Sequence, residues 1–262
     1  MDSNERERRR QRRYREAMRN RGIAAVVLVI LIVGVIFIVK GCKKEDTPPA
    51  DGQQQQQEQT GTPEDVAPET PVNVDDELLT VVNPWNPLPE DWVSDLVTLS
   101  DGRRVDSRCY EAFEEMMDAC RDAGYAPFLC SAYRTQETQQ SLYDNKVQRL
   151  INSGMSEDEA KVEAAKTVAI PGTSEHQLGL AVDIVDANMQ DLTDEQENTE
   201  TQKWLMANSW RYGFIHRYPN DKTDITGIIY EPWHYRYVGV EAARYIMDND
   251  LCLEEYLAQV KK

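Results

Sequence analysis

A run of 17 residues without a polar side chain, at residues 23–39 (IAAVVLVILIVGVIFIV), constrains this 262-residue chain more than any other feature. As an α-helix that rises about 1.5 Å per residue, the run spans roughly 25 Å, which is near the lower limit for crossing a bilayer. The polar sequence on both sides offers no apolar surface that would fold over such a helix. The run therefore predicts a transmembrane helix that anchors the rest of the chain.

The charges on either side of the run predict its orientation. Nine Arg and four acidic residues precede it and three Lys follow by residue 44, which gives residues 1–44 a formal charge of +8. The whole chain has a formal charge of −17, so residues 45–262 carry −25. By the positive-inside rule, residues 1–22 form a basic cytoplasmic segment, and a single pass through the cell membrane leaves the larger part of the chain outside. The acidity of that part excludes a basic face that coats nucleic acid.

Two other interpretations of the N-terminal region stay open. A cleaved signal peptide has an apolar stretch of about 7–15 residues that ends at small residues, whereas this run is longer and Lys40 closes it. A lipoprotein would be processed at Cys42, but a Lys two positions before the cysteine fits such a cleavage site poorly. We therefore favour an uncleaved anchor.

Residues 40–80 are predicted to form a disordered, acidic linker rich in Gln and Pro. Residues 45–80 contain five consecutive Gln, several Pro, ten acidic residues and no Lys or Arg. Such a composition cannot bury a core, and its charges repel one another into an extended tether. From residue 81 the composition becomes globular, and residues 81–262 are numerous enough for one well-packed domain.

Hydrophobic periodicity predicts both helices and strands in residues 81–262. Helices are predicted at residues 105–123, 135–153, 156–169, 199–212 and 240–249. Strands are predicted at residues 125–130, 180–185, 213–218 and 225–230. Because the two kinds of element do not alternate regularly, we predict an α+β fold in which a small, mostly antiparallel sheet is flanked by helices.

Two short stretches hold two of the three His residues, namely SEHQLGLAVD at residues 174–183 and EPWH at residues 231–234. In a strand at residues 180–185, Asp183 faces away from the large apolar side chains. A carboxylate in such a strand must be paired or bind a metal ion, because burying it alone costs too much free energy. Imidazole is the commonest metal ligand in proteins, so the concentration of His in these stretches indicates a metal site.

His176, Asp183 and His234 supply two nitrogens and one carboxylate, which leaves a fourth tetrahedral position for water, as in a catalytic zinc site. We therefore predict one Zn²⁺ per chain, in a central cleft, with Glu231 as a general base. Ordinary packing and ion pairing are the alternative for each residue alone. The iron site of oxygenases is a second alternative, but it needs reducing conditions and closely spaced ligands from a barrel.

With these stretches, the chain resembles the VanY-type zinc D-alanyl-D-alanine carboxypeptidases, relatives of the D-Ala-D-Ala dipeptidases. The family pattern S-x-H-x-x-G-x-A-x-D occurs at residues 174–183, and E-x-x-H with Trp before the His occurs at residues 231–234. A third element, Tyr-Arg-Ser/Thr-x-x-x-Gln, is met by residues 133–139. The resemblance extends over about residues 96–257.

The resemblance implies specific roles. His176, Asp183 and His234 would hold the zinc ion, and Glu231 would activate water. Arg134 would have both a catalytic and a substrate-binding role. It would bind either the terminal carboxylate or the developing oxyanion, since its guanidinium offers paired donors. Gln139 and Ser174 would also contact substrate, whereas the third histidine, His216, is predicted not to be a ligand.

The implied reaction is removal of the C-terminal D-Ala from peptidoglycan stem peptides, by a monomeric catalytic domain on the cell-wall side of the membrane. Three alternatives differ in activity. An L,D-carboxypeptidase that acts on tetrapeptide stems would share the same residues. A non-catalytic cell-wall binding module would have no use for Glu231, and an endopeptidase that cuts cross-links would not need a clamp for a terminal carboxylate.

The domain contains Cys109, Cys120, Cys130 and Cys252, without the C-x-x-C spacing of a second metal site. Disulfides are allowed outside the membrane. Cys109 and Cys120 lie about 16 Å apart on one predicted helix and cannot pair with each other. We expect Cys120 to pair with Cys130 and Cys109 with Cys252, with four free thiols as the alternative.

Overall fold

The computed structural model describes residues 77–260. The predicted cytoplasmic segment and anchor, and nearly all of the predicted linker, lie outside these residues. Among residues 77–260, no helix combines the length and the apolar character that a membrane span requires. The predicted anchor at residues 23–39 therefore stays a prediction, as do the domain boundaries.

Residues 77–260 form six strands and seven helices, together with short 3₁₀ turns. The strands are β1 (Leu96–Thr98), β2 (Arg104–Asp106), β3 (Pro127–Ser131), β4 (Ala181–Asp186), β5 (Phe214–His216) and β6 (His234–Tyr237). The helices are α1 (Ser107–Asp122), α2 (Gln136–Asn152), α3 (Glu157–Ala165), α4 (Glu200–Asn208), α5 (Thr223–Thr226), α6 (Val240–Asp248) and α7 (Leu253–Val260). β1 and β2 form an antiparallel pair, and the main sheet has the order β3-β4-β6-β5 with every neighbouring pair antiparallel. The α+β prediction is confirmed.

The main core lies on one face of the central strand β4. Leu180, Val182 and Ile184 are fully buried there, in one cluster with apolar side chains of α1 such as Phe113. The alternation of a strand sends Asp183 to the opposite face, as predicted. This second face is buried too, and it carries the candidate site.

A second apolar cluster joins the two C-terminal helices to the sheet. Ile215 of β5 and Val238, just after β6, pack with side chains of α6 and α7, including Ile246 and Leu253. α6 and α7 therefore pack against β5 and the residues just after β6. This packing places an acidic residue of α7 near the candidate site.

All five predicted helices are present, each somewhat shorter than predicted. The predicted helix end at Ser156 is confirmed as a capping box, in which the Ser156 and Glu159 side chains each bond the other residue's backbone N–H. The strand predicted at residues 225–230 is wrong, because Thr223–Thr226 forms a helical turn that closes with the bond from Gly227 N to Thr223 O, at 2.8 Å.

The predicted disulfides are also wrong, since the four cysteines within residues 77–260 are free thiols. Cys109 points toward the carbonyl oxygens of Asp106 and Gly179, at 3.2 and 3.6 Å. Burial raises the pKa of both Cys109 and Cys120 to about 12, so these thiols are un-ionised core side chains.

Candidate active site

His176, Asp183 and His234 converge on one point of the fold. One ligand-capable atom from each residue lies within 4.8 Å of the others, and all three side chains are buried. Within the described part of the chain, this is the only group of three or more such residues. The convergence predicted from the two sequence stretches is therefore present in the structure.

The sheet brings two of the three residues together. β4 and β6 pair antiparallel with Asp183 directly opposite His234, so their side chains project from the same face. His176 lies in the 3₁₀ turn Glu175–Gln177, before β4. Backbone bonding fixes this turn, because Arg134 N donates to His176 O at 3.1 Å.

Gly179 lies where the chain passes from the His176 turn into β4. Its φ is +81°, and an added Cβ would lie 3.2 Å from the Asp106 Cβ and backbone N. The same residue accepts a bond from Asp106 N at 2.9 Å. Glycine is therefore needed where the chain passes close to the start of α1, on the way from the His176 turn into β4.

Each histidine presents one ring nitrogen to Asp183. The Nδ1 of His176 lies 2.8 Å from the Ala132 carbonyl oxygen, which can only accept, so this nitrogen carries a proton. The other nitrogen, Nε2, lies 3.2 Å from Asp183 Oδ2. The Nδ1 of His234 lies 3.1 Å from Asp183 Oδ1, and the two rings meet edge to face with centroids 4.9 Å apart.

The surroundings of the site shift the pKa values of its ionisable groups in different directions. Burial and the nearby Arg134 lower the pKa of His176 to about 4, so its ring is neutral at pH 7, as a metal ligand must be. Burial alone opposes the charged forms of Asp183 and His234. The adjacent His176, with further contributions from His234 and Arg134, nevertheless holds the pKa of Asp183 well below its ordinary value. Interactions with Asp183 and then Glu175 raise the pKa of His234 to about 9.

Glu231 is the second carboxyl group of the site. Its Oε2 lies 3.6 Å from His234 Nδ1, and burial, with a further contribution from Asp183, raises its pKa to about 8. A buried carboxyl with a pKa near the working pH is suited to accept and return a proton. The structure thus places the predicted base beside the predicted ligands.

The donor set fits a zinc ion. Two imidazoles and one carboxylate are typical of catalytic zinc sites, and ligand atoms about 2.0 Å from a tetrahedral ion lie about 3.3 Å from one another. The contacts of Asp183 with the two histidines, at 3.1 and 3.2 Å, are close to that spacing. Asp183, whose pKa is held well below its ordinary value, also supplies negative charge that a divalent cation neutralises.

Arg134 lies beside Asp183, and Gln139 lies behind Arg134. Arg134 donates from Nη2 to Asp183 Oδ2 at 2.7 Å and from Nε to Ser131 Oγ at 2.8 Å. The Gln139 Oε1 lies 3.4 Å from Arg134 Nη1, while its amide nitrogen donates to Ala169 O at 2.7 Å. Gln139 is fully buried, so it supports Arg134 in this structure.

The remaining predicted residues lie close to the ligands. Ser174 is buried immediately before the His176 turn. His216 lies outside the ligand group, and its Nε2 donates to the Glu231 carbonyl oxygen at 3.1 Å, where burial keeps the ring neutral by lowering its pKa to about 4. It therefore steadies the segment that carries Glu231.

A buried ion network behind the site was not predicted from the sequence. It consists of Glu175, Arg217, Arg236 and Glu254. The side chains of the first three are fully buried, although charged residues of this kind usually lie at the surface. The available signal was the position of Glu175 next to His176 and of Arg236 two residues after His234, on the same face of β6.

A known protein family matches more than half of this chain. The family model described as "VanY: D-alanyl-D-alanine carboxypeptidase" matches residues 102–240. The chain belongs to the VanY family. This confirms the resemblance inferred from the three sequence motifs.

Individual VanY relatives are similar over most of the described residues. A D-alanyl-D-alanine carboxypeptidase of Enterococcus faecalis (strain ATCC 700802 / V583) is 49% identical over 179 residues, which are 68% of this chain and 65% of that protein. The match thus spans a little under two thirds of the relative's length.

Solved structures of VanY relatives share the fold. A D,D-pentapeptidase VanY from a VanB-type resistance cassette, in complex with Zn(II), is 48% identical with a TM-score of 0.64 and covers 69% of this chain and 99% of its own. VanYB in complex with D-alanine-D-alanine is 49% identical with the same TM-score, covering 69% and 97%. The LD-carboxypeptidase LdcB is 39% identical with a TM-score of 0.61, covering 70% and 86%.

Proposed function

We propose that this protein is a zinc-dependent D-alanyl-D-alanine carboxypeptidase that removes the C-terminal D-Ala from peptidoglycan stem peptides. The observation that carries the proposal is the convergence of His176, Asp183 and His234 beside Glu231, whose carboxyl has a pKa near 8. The similarity to a VanY protein in complex with Zn(II), and to one in complex with D-alanine-D-alanine, supports the choice of metal and substrate.

His176 Nε2, the Asp183 carboxylate and His234 Nδ1 would hold the zinc ion, because these atoms face one another. When bound, zinc polarises a carbonyl group and lowers the pKa of coordinated water toward about 7. Glu231 takes the proton from the attacking water and returns it to the departing amine of D-Ala. Burial makes the ionised carboxylate of Glu231 a stronger base, because it raises the pKa of this group to about 8.

Arg134 supplies the positive charge that an anionic substrate requires in an acidic domain. Its guanidinium already donates to Asp183 and Ser131, which fixes its direction, and its side chain is 17% exposed. A guanidinium held in this way can bind a terminal carboxylate through paired donors. Gln139 supports this arrangement through its contact with Arg134, and Ser174, buried just before the His176 turn, is proposed to contact substrate.

We also propose that residues 23–39 anchor the enzyme in the cell membrane, with a cytoplasmic N-terminus and a monomeric catalytic domain that faces the cell wall. The support is the sequence alone, namely the 17-residue apolar run and the +8 charge of residues 1–44. The acidic linker of residues 40–80 would let the domain reach stem peptides beyond the membrane surface.

A second candidate is an L,D-carboxypeptidase that acts on tetrapeptide stems, which the 39% identity to LdcB favours. The two activities are separated by incubating the full chain, in detergent with Zn²⁺, with defined pentapeptide and tetrapeptide stems and measuring product masses. Loss of one D-Ala from the pentapeptide supports the D,D activity. Cleavage of the tetrapeptide alone supports the L,D activity, and zinc binding without cleavage of either peptide supports a binding module.

A further inference from the structure

Two buried polar atoms face each other behind the ligand cluster. Glu175 Oε2 and His234 Nε2 are 3.5 Å apart, and neither atom forms a hydrogen bond with any other atom of residues 77–260. Leaving such atoms unsatisfied in a buried position is costly, so the pair calls for an explanation. One atom can only accept and the other can donate, which makes them complementary.

Glu175 is held rigidly by two arginines. Its Oε1 accepts from Arg217 Nε at 2.8 Å and from Arg236 Nη1 at 2.9 Å, and all three side chains are fully buried. Arg217 in turn donates two bonds to Glu254, at 2.8 and 2.7 Å. Because both arginine donors use Oε1, the second oxygen is left to face His234.

His234 is therefore contacted on both sides of its ring. Nδ1 faces Asp183 and Glu231, at 3.1 and 3.6 Å, whereas the charged group that Nε2 faces, among the described residues, is Glu175 at 3.5 Å. A proton on Nε2 that is donated to Glu175 leaves the lone pair of Nδ1 directed at the ligand cluster. His176 is set in the same manner with its nitrogens exchanged, because the Ala132 carbonyl fixes its Nδ1.

We propose that Glu175 is a positioning residue that holds His234 with its proton on Nε2 and its Nδ1 directed at the metal. The inference rests on the metal centre of the proposed function. Under this proposal the Glu175–Gln177 turn contributes twice to the metal centre. His176 is a ligand, and Glu175 orients His234 of β6. The two arginine donors hold the Glu175 carboxylate in place.

Replacing Glu175 with Gln should reverse the polarity of this contact. The amide oxygen of Gln would be retained by the two arginine donors, so its NH₂ group would face His234 Nε2 and donate to it. The ring proton would then move to Nδ1, the atom that binds the metal. Changes to such supporting residues typically weaken metal affinity by about 10- to 100-fold.

The test compares Glu175→Gln with Glu254→Gln in the full chain in detergent. Both variants remove a carboxylate that binds Arg217, but only Glu175 faces His234. Zn²⁺ affinity of the metal-free proteins is measured by competition with a chelator, alongside thermal unfolding. We expect the affinity of Glu175→Gln to fall about 10- to 100-fold and that of Glu254→Gln to stay within about twofold of the wild type. Equal losses in both variants, or no loss in Glu175→Gln, would overturn the proposal.

A second measurement needs no variant. In the zinc-loaded wild type with ¹⁵N-labelled histidine, the imidazole resonances of His234 should show a protonated Nε2 and a metal-bound Nδ1. Zinc on Nε2, or a protein that binds no zinc, contradicts the inference even if Glu175→Gln does not fold. Because both measurements follow zinc binding, failure to cleave stem peptides would refute the proposed function alone.

Discussion

Asp183 and Glu231 are two buried carboxyl groups in one site with opposite tendencies to ionise. Partners on three sides hold the pKa of Asp183 well below its ordinary value, whereas burial raises that of Glu231 to about 8. Environments that separate the pKa values of neighbouring groups identify which group stays charged and which exchanges a proton. Asp183 is therefore suited to hold a cation, and Glu231 to move a proton.

Glu231→Gln should retain zinc but lose turnover. Glu231 is placed as the base, and general acid–base groups contribute about 10²- to 10⁴-fold to rate, so kcat should fall by that amount. Zinc content by mass spectrometry and release of D-Ala from a pentapeptide stem are the two measurements. Retention of wild-type kcat in the zinc-loaded variant would show that another group accepts the proton.

Thiol labelling tests the corrected state of the cysteines. In the folded protein, the half-buried Cys130 should react with a thiol reagent before Cys109, Cys120 and Cys252, which are buried. Unfolding without a reductant should then expose all four, as peptide mapping would show. If two of these cysteines were labelled only after reduction, they would form a disulfide, contrary to the structure.

The candidate metal ligands and Glu231 could be predicted from the sequence because they fall in two short stretches with recognisable spacing. Glu175, Arg217 and Arg236 could not, although they pack directly behind those residues. Arg217 and Arg236 lie 42 and 61 positions from Glu175 along the chain, and an isolated Arg in a sequence indicates a surface position. Only the folded chain shows that a buried partner makes their burial tolerable.

At the scale of elements, two strands and one tight turn build the site. β4 was predicted because apolar residues dominate it, whereas β6, with the sequence HYRY, contains two residues that favour exposed positions. His234 and Arg236 are nevertheless buried. His234 belongs to the ligand group, and Arg236 reaches Glu175. Residues 225–230 have strand propensity, but Thr226 ends the helix α5 and residues 227–230 form no strand, so local preference yields there to tertiary packing.

Gly179→Ala should disturb the approach to β4. A Cβ at this residue combines a positive φ with contacts of 3.2 Å to Asp106, so we expect a loss of about 1 to 3 kcal/mol in unfolding free energy. Gly154→Ala is the matched control, because φ is +103° there and an added Cβ meets nothing within 4 Å. Denaturant unfolding of both variants measures the difference, and equal losses would mean that close packing at Gly179 contributes nothing.

At the scale of the whole molecule, the ion network joins distant parts of the domain. Glu254 belongs to α7 near the C-terminal end of the described residues, and it pairs with Arg217, which follows β5. Its side chain also accepts from Asn83 at 3.0 Å, near the other end. The C-terminal helix therefore contributes to the surroundings of Glu175 without reaching the ligands.

Glu254 should make stability depend on pH in the acid range. Burial opposes its ionisation, but Arg217 lowers its pKa below the ordinary value, so its contribution is complete above the unfolded pKa of about 4.3 and is lost as pH falls through the folded pKa. We expect Glu254→Gln to lower the unfolding free energy of the metal-free protein by about 1.5 to 3 kcal/mol at pH 7. The gap to the wild type should narrow between pH 5 and pH 3 (roughly the range around the ordinary Glu pKa). Denaturant titrations at each pH measure it, and a constant gap would contradict the assignment.

The direct pairing of Asp183 with His234 across β4 and β6 gives the chain an internal test of its own folding. A shift of one residue between these strands would turn every side chain of β6 to the other face, and the two ligands would part. Tight metal capture is then possible for one alignment of the sheet and for no other. Zinc uptake during refolding should therefore report correct pairing of β4 with β6. Bound zinc would stabilise the native register relative to shifted registers.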